Sequence, residues 1–487
     1  MKAAFAPVGA MLKAPSDALL SELESLLGPR GFSRDPSDLE PWLTDWRGRY
    51  TGAAAALLSP ASPHEVQAIV TRCAAQGVAL VPQGGNTSMV GGATPCAGGS
   101  ALLLSSRRMN RIRSLSPDDN VLVAEAGVIL GRVHDEAAGA GRRFPLSLGA
   151  KGSATVGGLV STNAGGTQVL RFGSMRSLVL GVEAVLPDGS LYEGLSALRK
   201  DNRGYDLRQL LVGAEGTLGV VTAASLRLVA APGSRAVAWV GLAGPADALR
   251  LLRFLEERLG EAVESFELVP DDALALVLRH IPGTRPPLGS AHPWHVLIES
   301  TAPLGGAEAG SSLGAALGDA LDAGIAADAV VAASEVQAEA LWRLREPISE
   351  AERQEGPSLK HDISVAVSAM PAFIEDAKAA VESGYPGSRI IAFGHLGDGN
   401  VHFNVQAPAR GDQAAWLTER GPEVSAFVYD LVTAAGGSIS AEHGIGQMKL
   451  GEYLRTAGAP QLAAQRAIKN ALDPAGIMNP GKLFPLT

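Results

Sequence analysis

Cysteine is nearly absent from this chain: 487 residues contain only Cys73 and Cys96. Two thiols give no disulfide framework and no thiolate metal site, and they fit a reducing, cytoplasmic setting. No apolar run reaches the length of a membrane span. The first residues, Met1 to Pro7, carry one lysine and scattered alanines and lack the apolar stretch that precedes a cleavage site; they read as a short disordered leader. Basic charge is also short. The 41 Lys and Arg face 50 Asp and Glu, a net of −9, which argues against general nucleic-acid or anionic-membrane binding. There is no Gly-x-Gly-x-x-Gly. Gly139-Ala140-Gly141 comes closest, but Phe144 stands where the last glycine should be, so a Rossmann dinucleotide site is unsupported. No Gly-x-x-x-x-Gly-Lys-[Ser/Thr] loop for nucleoside triphosphates and no internal repeat is present.

What is present suits a well-buried globular protein: 46% hydrophobic and 19% charged residues. The length calls for at least two domains. A helix near Asp17 to Leu27, with Ser16-Asp17 as its cap, sits in an N-terminal segment over 1–54. Residues 55–232 show short apolar runs broken by glycine-rich turns, with strands at 57–58, 78–81, 101–104, 121–124 and 179–186. Between them lies a helix over 63–76. Pro63 falls in its first turn, Ser62 can cap it, and Val66, Ile69, Val70 and Cys73 make one apolar face. Residues 233–450 alternate strands (236–240, 295–300, 328–332, 364–367, 390–393, 401–405) with long helices, including 245–259 and 336–354. That pattern predicts an α/β domain with an antiparallel sheet. Leucines 313, 317 and 321 give the Ala/Gly-rich stretch 305–327 helical spacing. A tail over 451–487 holds, within 464–483, one more helix and then Met478-Asn479-Pro480-Gly481-Lys482. The fold class is α+β.

Two glycine-rich stretches stand out in the first domain. One is Pro82-Gln83-Gly84-Gly85-Asn86-Thr87-Ser88-Met89-Val90-Gly91-Gly92, directly after a strand. Glycines permit positive φ and close backbone approach, consecutive N–H groups form an anion nest, and Asn86, Thr87 and Ser88 add side-chain donors. The other runs from Leu148-Gly149-Ala150-Lys151-Gly152-Ser153 through Gly157-Gly158 to Ser161-Thr162-Asn163-Ala164-Gly165-Gly166. One such loop reads equally well as an ordinary hairpin turn. Two in one domain favour a long phosphate-bearing ligand.

Only 9 histidines occur, yet three cluster: His395 and His402 flank a glycine-rich turn, and Glu442-His443-Gly444 follows some forty residues later. Two imidazoles and one carboxylate, His395, His402 and Glu442, can hold a divalent metal with positions left open for substrate. His443 would then be free to move protons. Asp398 competes with Glu442 as a ligand, but Asp398-Gly399 is a strong turn signal. Either histidine alone is well explained as the flank of a tight turn; the set with Glu442-His443 is not.

Together these residues resemble a family. The Pro-x-Gly-Gly-Asn-Thr loop, the Gly149 to Ser153 and Thr162 to Gly166 stretches, and Val212-Gly213-Ala214-Glu215-Gly216-Thr217-Leu218-Gly219 are similar to the flavin domain of the vanillyl-alcohol oxidase superfamily. The two-histidine and Glu-His-Gly motifs resemble its 2-hydroxy-acid dehydrogenase branch. The stretches Asn86 to Gly92 and Leu198 to Leu207 are closest to the group that oxidises D-2-hydroxyglutarate. The resemblance runs from about Trp42 to Pro485. It implies a two-lobed FAD-binding domain of vanillyl-alcohol oxidase type, an α/β substrate domain and a C-terminal segment that returns to the flavin.

The resemblance implies that FAD lies across the first domain, its pyrophosphate on Gly84 to Ser88. Pro82, Met89, Gly149, Ala150, Ser153, Gly157, Gly158, Ser161, Asn163, Gly165, Gly216, Val221 and Asn479 would complete the site. Some relatives link flavin through a loop histidine or cysteine; the first loop has neither at the matching place, so the FAD is expected to be non-covalent. Lys151 reads as a surface lysine or an anion contact.

On the substrate side, Arg345, Ser349 and Lys360 fall at the family's carboxylate-binding positions, with serine where that group usually has threonine. A helix through Arg345 would put Ser349 one turn later on the same face. Arg343 reads equally well as a solvated face, and His361 and Asp362 as structural. A diacid needs cationic anchors at both ends, so Lys360 favours a D-2-hydroxy dicarboxylic acid. Asn404, two residues after His402, would face the same side of its strand. The metal is expected to be Zn²⁺, with Mn²⁺ the alternative. The implied reaction takes D-2-hydroxyglutarate to 2-oxoglutarate, with His443 as base and hydride transfer to flavin N5. D-lactate, D-malate or another D-2-hydroxy acid is the alternative. The implied electron acceptor is an electron-transferring flavoprotein or a quinone, and the implied assembly a homodimer.

Overall fold

The computed structural model describes residues 12–485, so the expected leader over residues 1–7 lies outside it. The chain divides into two compact units, and neither is continuous in sequence. The first holds residues 12–164, Ser174–Ala230 and 443–485; the second holds Gly165–Gly173 and Ala231–Glu442. The split therefore falls between Glu442 and His443 rather than at residue 450.

In the first unit, strands β1 (Phe32–Ser33), β2 (Ala56–Leu58), β3 (Leu80–Gln83) and β4 (Leu102–Ser105) form a sheet in the order β1-β2-β4-β3. β2 and β3 both run parallel to β4, which requires a crossover, and helix Pro63–Gln76 supplies it. The helix starts where Ser62 accepts the Glu65 N–H (3.2 Å) and stops at Gly77, whose φ is 69°. Its buried face is Val66, Ile69, Val70 and Cys73, packed with Leu58, Leu80, Leu102 and Leu104. Each such aliphatic side chain contributes about 1.5–3 kcal/mol on burial. A second, antiparallel sheet contains β5 (Ile112–Ser116), β6 (Val121–Glu125), β7 (Val179–Val185), β8 (Leu191–Gly194) and β9 (Val220–Arg227), in the order β5-β6-β9-β7-β8. The tail helix spans Ala459–Leu472, beginning before the expected 464; Asp473-Pro474 follows, and proline cannot continue a helix. Beyond it the chain pairs with β3, Asn479 N–H donating to the Leu80 carbonyl at 2.8 Å.

The second unit is built on seven strands: β10 (Ser234–Leu242), β11 (Val263–Pro270), β12 (Trp294–Ala302), β13 (Asp328–Val331), β14 (Ser358–Ser364), β15 (Arg389–His395) and β16 (Asn400–Gln406). Their order is β13-β10-β12-β11-β15-β16-β14, and every pairing is antiparallel, as the sequence pattern predicts. Two expectations fail here. The strand expected at 364–367 is β14, six residues earlier, so Lys360 lies on a strand. The helix expected at 336–354 breaks at Pro347 into Glu335–Arg345 and Ile348–Gln354, because proline lacks the N–H to continue the ladder.

Register fixes what shares a face. Lys360 pairs with Asn404, Asp362 with His402, Phe393 with His402, His395 with Asn400, and Glu267 with His395. Directly opposed residues point the same way. One face of β11, β14, β15 and β16 therefore carries Glu267, His395, His402, Asn404, Asp362 and Lys360. The other carries apolar groups such as Ile363, Val401, Phe403 and Val405, all fully buried.

Candidate active site

A cleft opens in the first unit, lined by both glycine-rich stretches. Pro82, Gly84, Ser88, Gly157, Gly158, Ser161, Gly216 and Val221 reach it, and so do Gly92, Ala126, Glu215 and His443. Two glycines of the first loop serve packing rather than positive φ. A Cβ on Gly84 would stand 2.2 Å from Thr155 Oγ1, and one on Gly85 would stand 1.9 Å from the Ser153 carbonyl oxygen. The two loops press together where only hydrogen fits.

Several expected cofactor residues act as loop supports. Asn86 takes the left-handed turn position (φ 53°) and donates to the Thr44 carbonyl at 2.9 Å. Ser88 Oγ accepts the Gly92 N–H at 2.9 Å. Asn163 ends a short helix and accepts from Arg176 N–H at 2.8 Å and Ser174 Oγ–H at 2.9 Å. Asn479 donates to the Gly92 and Glu215 carbonyls, at 2.9 and 2.6 Å, and so holds two walls of the cleft. Gly85, Asn86, Thr87, Met89, Gly149, Ala150, Ser153 and Asn163 do not line the cleft, and Lys151 is exposed. Gly165 belongs to the second unit, where a Cβ on it would meet Glu442 Oε1 at 3.1 Å. Its lack of a side chain makes room for the Glu442 carboxylate.

FAD fits this cleft. Its lining residues Ser106 and Gln83 each keep a buried oxygen, Oγ and Oε1, without a hydrogen-bond partner, as expected where a polar ligand completes the set. Glu215 had no role in the sequence reading beyond its place in a glycine motif. Fully buried and at φ 51°, it accepts the N–H groups of Ile445 and Gly446, both at 2.8 Å. It thereby fixes the segment that begins at His443. Burial pushes its carboxyl above the ordinary value against those hydrogen bonds.

In the second unit, one nitrogen each of His395 and His402 and an oxygen of Glu442 lie within 4.8 Å of one another. The imidazole centroids are 5.5 Å apart at 78°. Glu267, fully buried, lies 2.6 Å from His395 Nδ1 through Oε1. A carboxylate only accepts, so Nδ1 carries the proton and Nε2 is the nitrogen left to bind an ion. Burial alone would lower the His395 pKa, but Glu267 outweighs it and holds the imidazole at about 9. Desolvation and the charges of Asp362, Asp398 and Glu267 push Glu442 to about 7, against the pull of His395. So many converging carboxylates beside two imidazoles are what a divalent cation would offset, and the donor set fits one.

Asp398 serves the turn, accepting the Asn400 N–H at 3.0 Å. Asp362 does more than the sequence suggested: it accepts the Glu442 N–H at 3.0 Å and lies 3.9 Å from His402 Nδ1. His361 is structural, bonded to the Phe403 carbonyl and to Ser425 Oγ.

Arg345 is buried, its guanidinium 4.8 Å over the Phe393 ring and its Nη2 2.7 Å from Glu267 Oε2. That ion pair is close but out of hydrogen-bond alignment, and Arg345 Nε and Nη2 have no hydrogen bond. Ser349 departs from expectation: the break at Pro347 leaves it exposed while Arg345 is buried, so the shared helix face is lost. Arg343 is exposed, its Nη2 donating to the Pro282 carbonyl at 2.8 Å. Lys360 Nζ and Asn404 Nδ2 both donate to Glu352 Oε2, each at 2.7 Å. The sequence reading missed Glu352 and Glu267, which lie on elements it had fused or left out.

The FAD binding domain family matches residues 54–194, and the C-terminal domain family of FAD-linked oxidases matches residues 231–483. A mitochondrial D-2-hydroxyglutarate dehydrogenase of Bos taurus is 39% identical over 96% of this chain and 83% of its own length. A D-2-hydroxyglutarate dehydrogenase of Xanthomonas citri pv. viticola is 38% identical over 96% of this chain and 97% of its own. A Schizosaccharomyces pombe protein provisionally named a mitochondrial D-lactate dehydrogenase is 35% identical over 96% of this chain and 91% of its own. In fold, p-cresol methylhydroxylase matches with a TM-score of 0.74 at 15% identity, over 98% of this chain and 99% of that one. Alkyldihydroxyacetonephosphate synthase matches at 0.72 and 16%, over 97% and 87%. The chain therefore belongs to the D-2-hydroxyglutarate dehydrogenase family of FAD-dependent dehydrogenases, within the vanillyl-alcohol oxidase superfamily.

Proposed function

We propose that this enzyme oxidises D-2-hydroxyglutarate to 2-oxoglutarate with the help of a divalent metal, Zn²⁺ or else Mn²⁺. The observation that carries the reading is the triad His395, His402 and Glu442, with ligand atoms within 4.8 Å, its two histidines on the same sheet face as Lys360 and Asn404. When bound, the cation supplies Lewis acidity to the substrate hydroxyl and the non-covalent FAD accepts two electrons as hydride from C2.

The protein's own groups do the rest. Arg345, with unfilled buried donors, holds one carboxylate. Lys360 and Asn404 meet the distal carboxylate of a diacid. Ser349, exposed, contributes less than its position in the family suggests. His443, next in the chain to Glu442, takes the hydroxyl proton. Glu442 and the imidazoles of His395 and His402 orient the hydroxy-acid end. The reducing equivalents then pass to an electron-transferring flavoprotein or a quinone, and the protein works as a homodimer. Among the described residues no helix is long and apolar enough to cross a membrane. Free Cys73 and Cys96 support a reducing compartment such as the cytoplasm.

Steady-state turnover with a dye acceptor tests the reading. The metal-loaded protein should prefer D-2-hydroxyglutarate to D-lactate and D-malate, and should lose activity to a chelator and regain it with Zn²⁺ or Mn²⁺. Preference for D-lactate would instead favour the second reading, for which the provisional name of the S. pombe relative is the specific support.

A further inference from the structure

We infer that Glu352 sets the preference for a substrate with a second carboxylate by holding the two groups that receive it. The inference rests on the diacid reading above and names a residue that reading does not use.

Glu352 lies on the inner face of helix Ile348–Gln354, its side chain wholly buried. Its Oε2 accepts from Lys360 Nζ on β14 and from Asn404 Nδ2 on β16, each at 2.7 Å. Those two residues are direct cross-strand partners. One oxygen therefore fixes the relative position of a cation and an amide that would otherwise move independently. Lysine in particular has a long, flexible stem. Oε1 of the same carboxylate is buried without a hydrogen-bond partner. That is an unfavourable state for an isolated carboxylate, and it is tolerated here because the ammonium neutralises Oε2.

The Lys360 side chain is 19% exposed while that of Glu352 is not exposed at all. The buried acid holds the ammonium from beneath. A second carboxylate would thus complete a row of carboxylate, ammonium, carboxylate. A monocarboxylate such as D-lactate has no group to place there. Glu352 is a positioning residue, and its effect should divide by substrate.

The test is Glu352→Gln in the metal-loaded holoenzyme, assayed on D-2-hydroxyglutarate and D-lactate with flavin content and thermal melt in parallel. The expected result is a rise in KM for the diacid with kcat little changed, so that the ratio of kcat/KM for diacid over D-lactate falls about tenfold. An equal fall on both substrates, or no change in the ratio, overturns the inference. Should the uncompensated Lys360 prevent folding, the double variant Glu352→Gln/Lys360→Met removes both charges. Its ratio should be no higher than that of Lys360→Met alone, since Asn404 also loses its anchor, with turnover of D-lactate held; a further equal loss on both substrates overturns the inference. A wild-type enzyme with no preference for the diacid overturns the diacid reading itself, before any variant is compared.

Discussion

Glu267 Oε1 lies 2.6 Å from His395 Nδ1, and its other oxygen lies 2.7 Å from Arg345 Nη2. One fully buried carboxylate thus ties a candidate metal ligand to a candidate substrate anchor. Burial alone would raise its pKa, but the charges of His395 and Arg345 hold it below the ordinary value. Glu267→Gln should lower metal affinity by about 10- to 100-fold, the usual consequence of losing a carboxylate behind a ligating histidine. Competition titration with a chromogenic chelator measures this directly. An unchanged affinity would mean that Glu267 serves only Arg345.

Metal uptake should release protons, in numbers set by pH. His395 is held at about 9 and Glu442 at about 7, and both must lose a proton to bind a cation. The number released should therefore grow as pH falls below about 9. Affinity therefore rises with pH, and more steeply at the acid end of the range. Calorimetry in buffers of different ionisation enthalpy counts the protons. A pH-independent affinity between 6 and 8, roughly the span these groups govern, would contradict the assignment.

The first glycine loop should be intolerant of any side chain at Gly85, since its Cβ would lie 1.9 Å from the Ser153 carbonyl oxygen. Gly85→Ala should cost about 1–3 kcal/mol of stability by overpacking and reduce bound flavin per chain. A thermal melt and the ratio of visible to ultraviolet absorbance check both. Full flavin content at wild-type stability would show that the loops separate freely.

Glu215 accepts two N–H groups just after His443, from Ile445 and Gly446 at 2.8 Å each. Glu215→Gln replaces one acceptor oxygen with a donor that faces an N–H. With the His443 segment displaced, kcat should fall, by up to about 100-fold for a shift near 1 Å, while flavin stays bound. Stopped-flow measurement of the reductive half-reaction separates this from slowed reoxidation. A normal rate of flavin reduction would exclude a role for Glu215 in placing His443.

Much of this was legible in the sequence because it depends on local rules. Ser62, Pro63 and Gly77 bound their helix, and the apolar face Val66, Ile69, Val70 and Cys73 is the one buried. The antiparallel second sheet and the triad His395, His402 and Glu442 were also read from pattern. What escaped depends on tertiary partners. β11 was missed because Glu264 and Glu267 interrupt its apolar run; each is buried against an arginine distant in sequence. β14 was displaced because Lys360 and Asp362 look like surface residues until β16 supplies their neighbours. Ser349 was misplaced through Pro347, whose break was visible in the sequence and was passed over. Asn86, Asn163 and Asn479 read as ligand donors, yet their amides support the backbone around the cleft.

The most direct test of the central claim is anaerobic titration of the metal-loaded enzyme, followed in the flavin absorption band. D-2-hydroxyglutarate should bleach the band stoichiometrically and L-2-hydroxyglutarate should leave it unchanged. Prior chelation should abolish the bleaching, and restored metal should return it. A flavin band unaffected by every D-2-hydroxy acid, or bleached equally well in the chelated protein, would contradict the account.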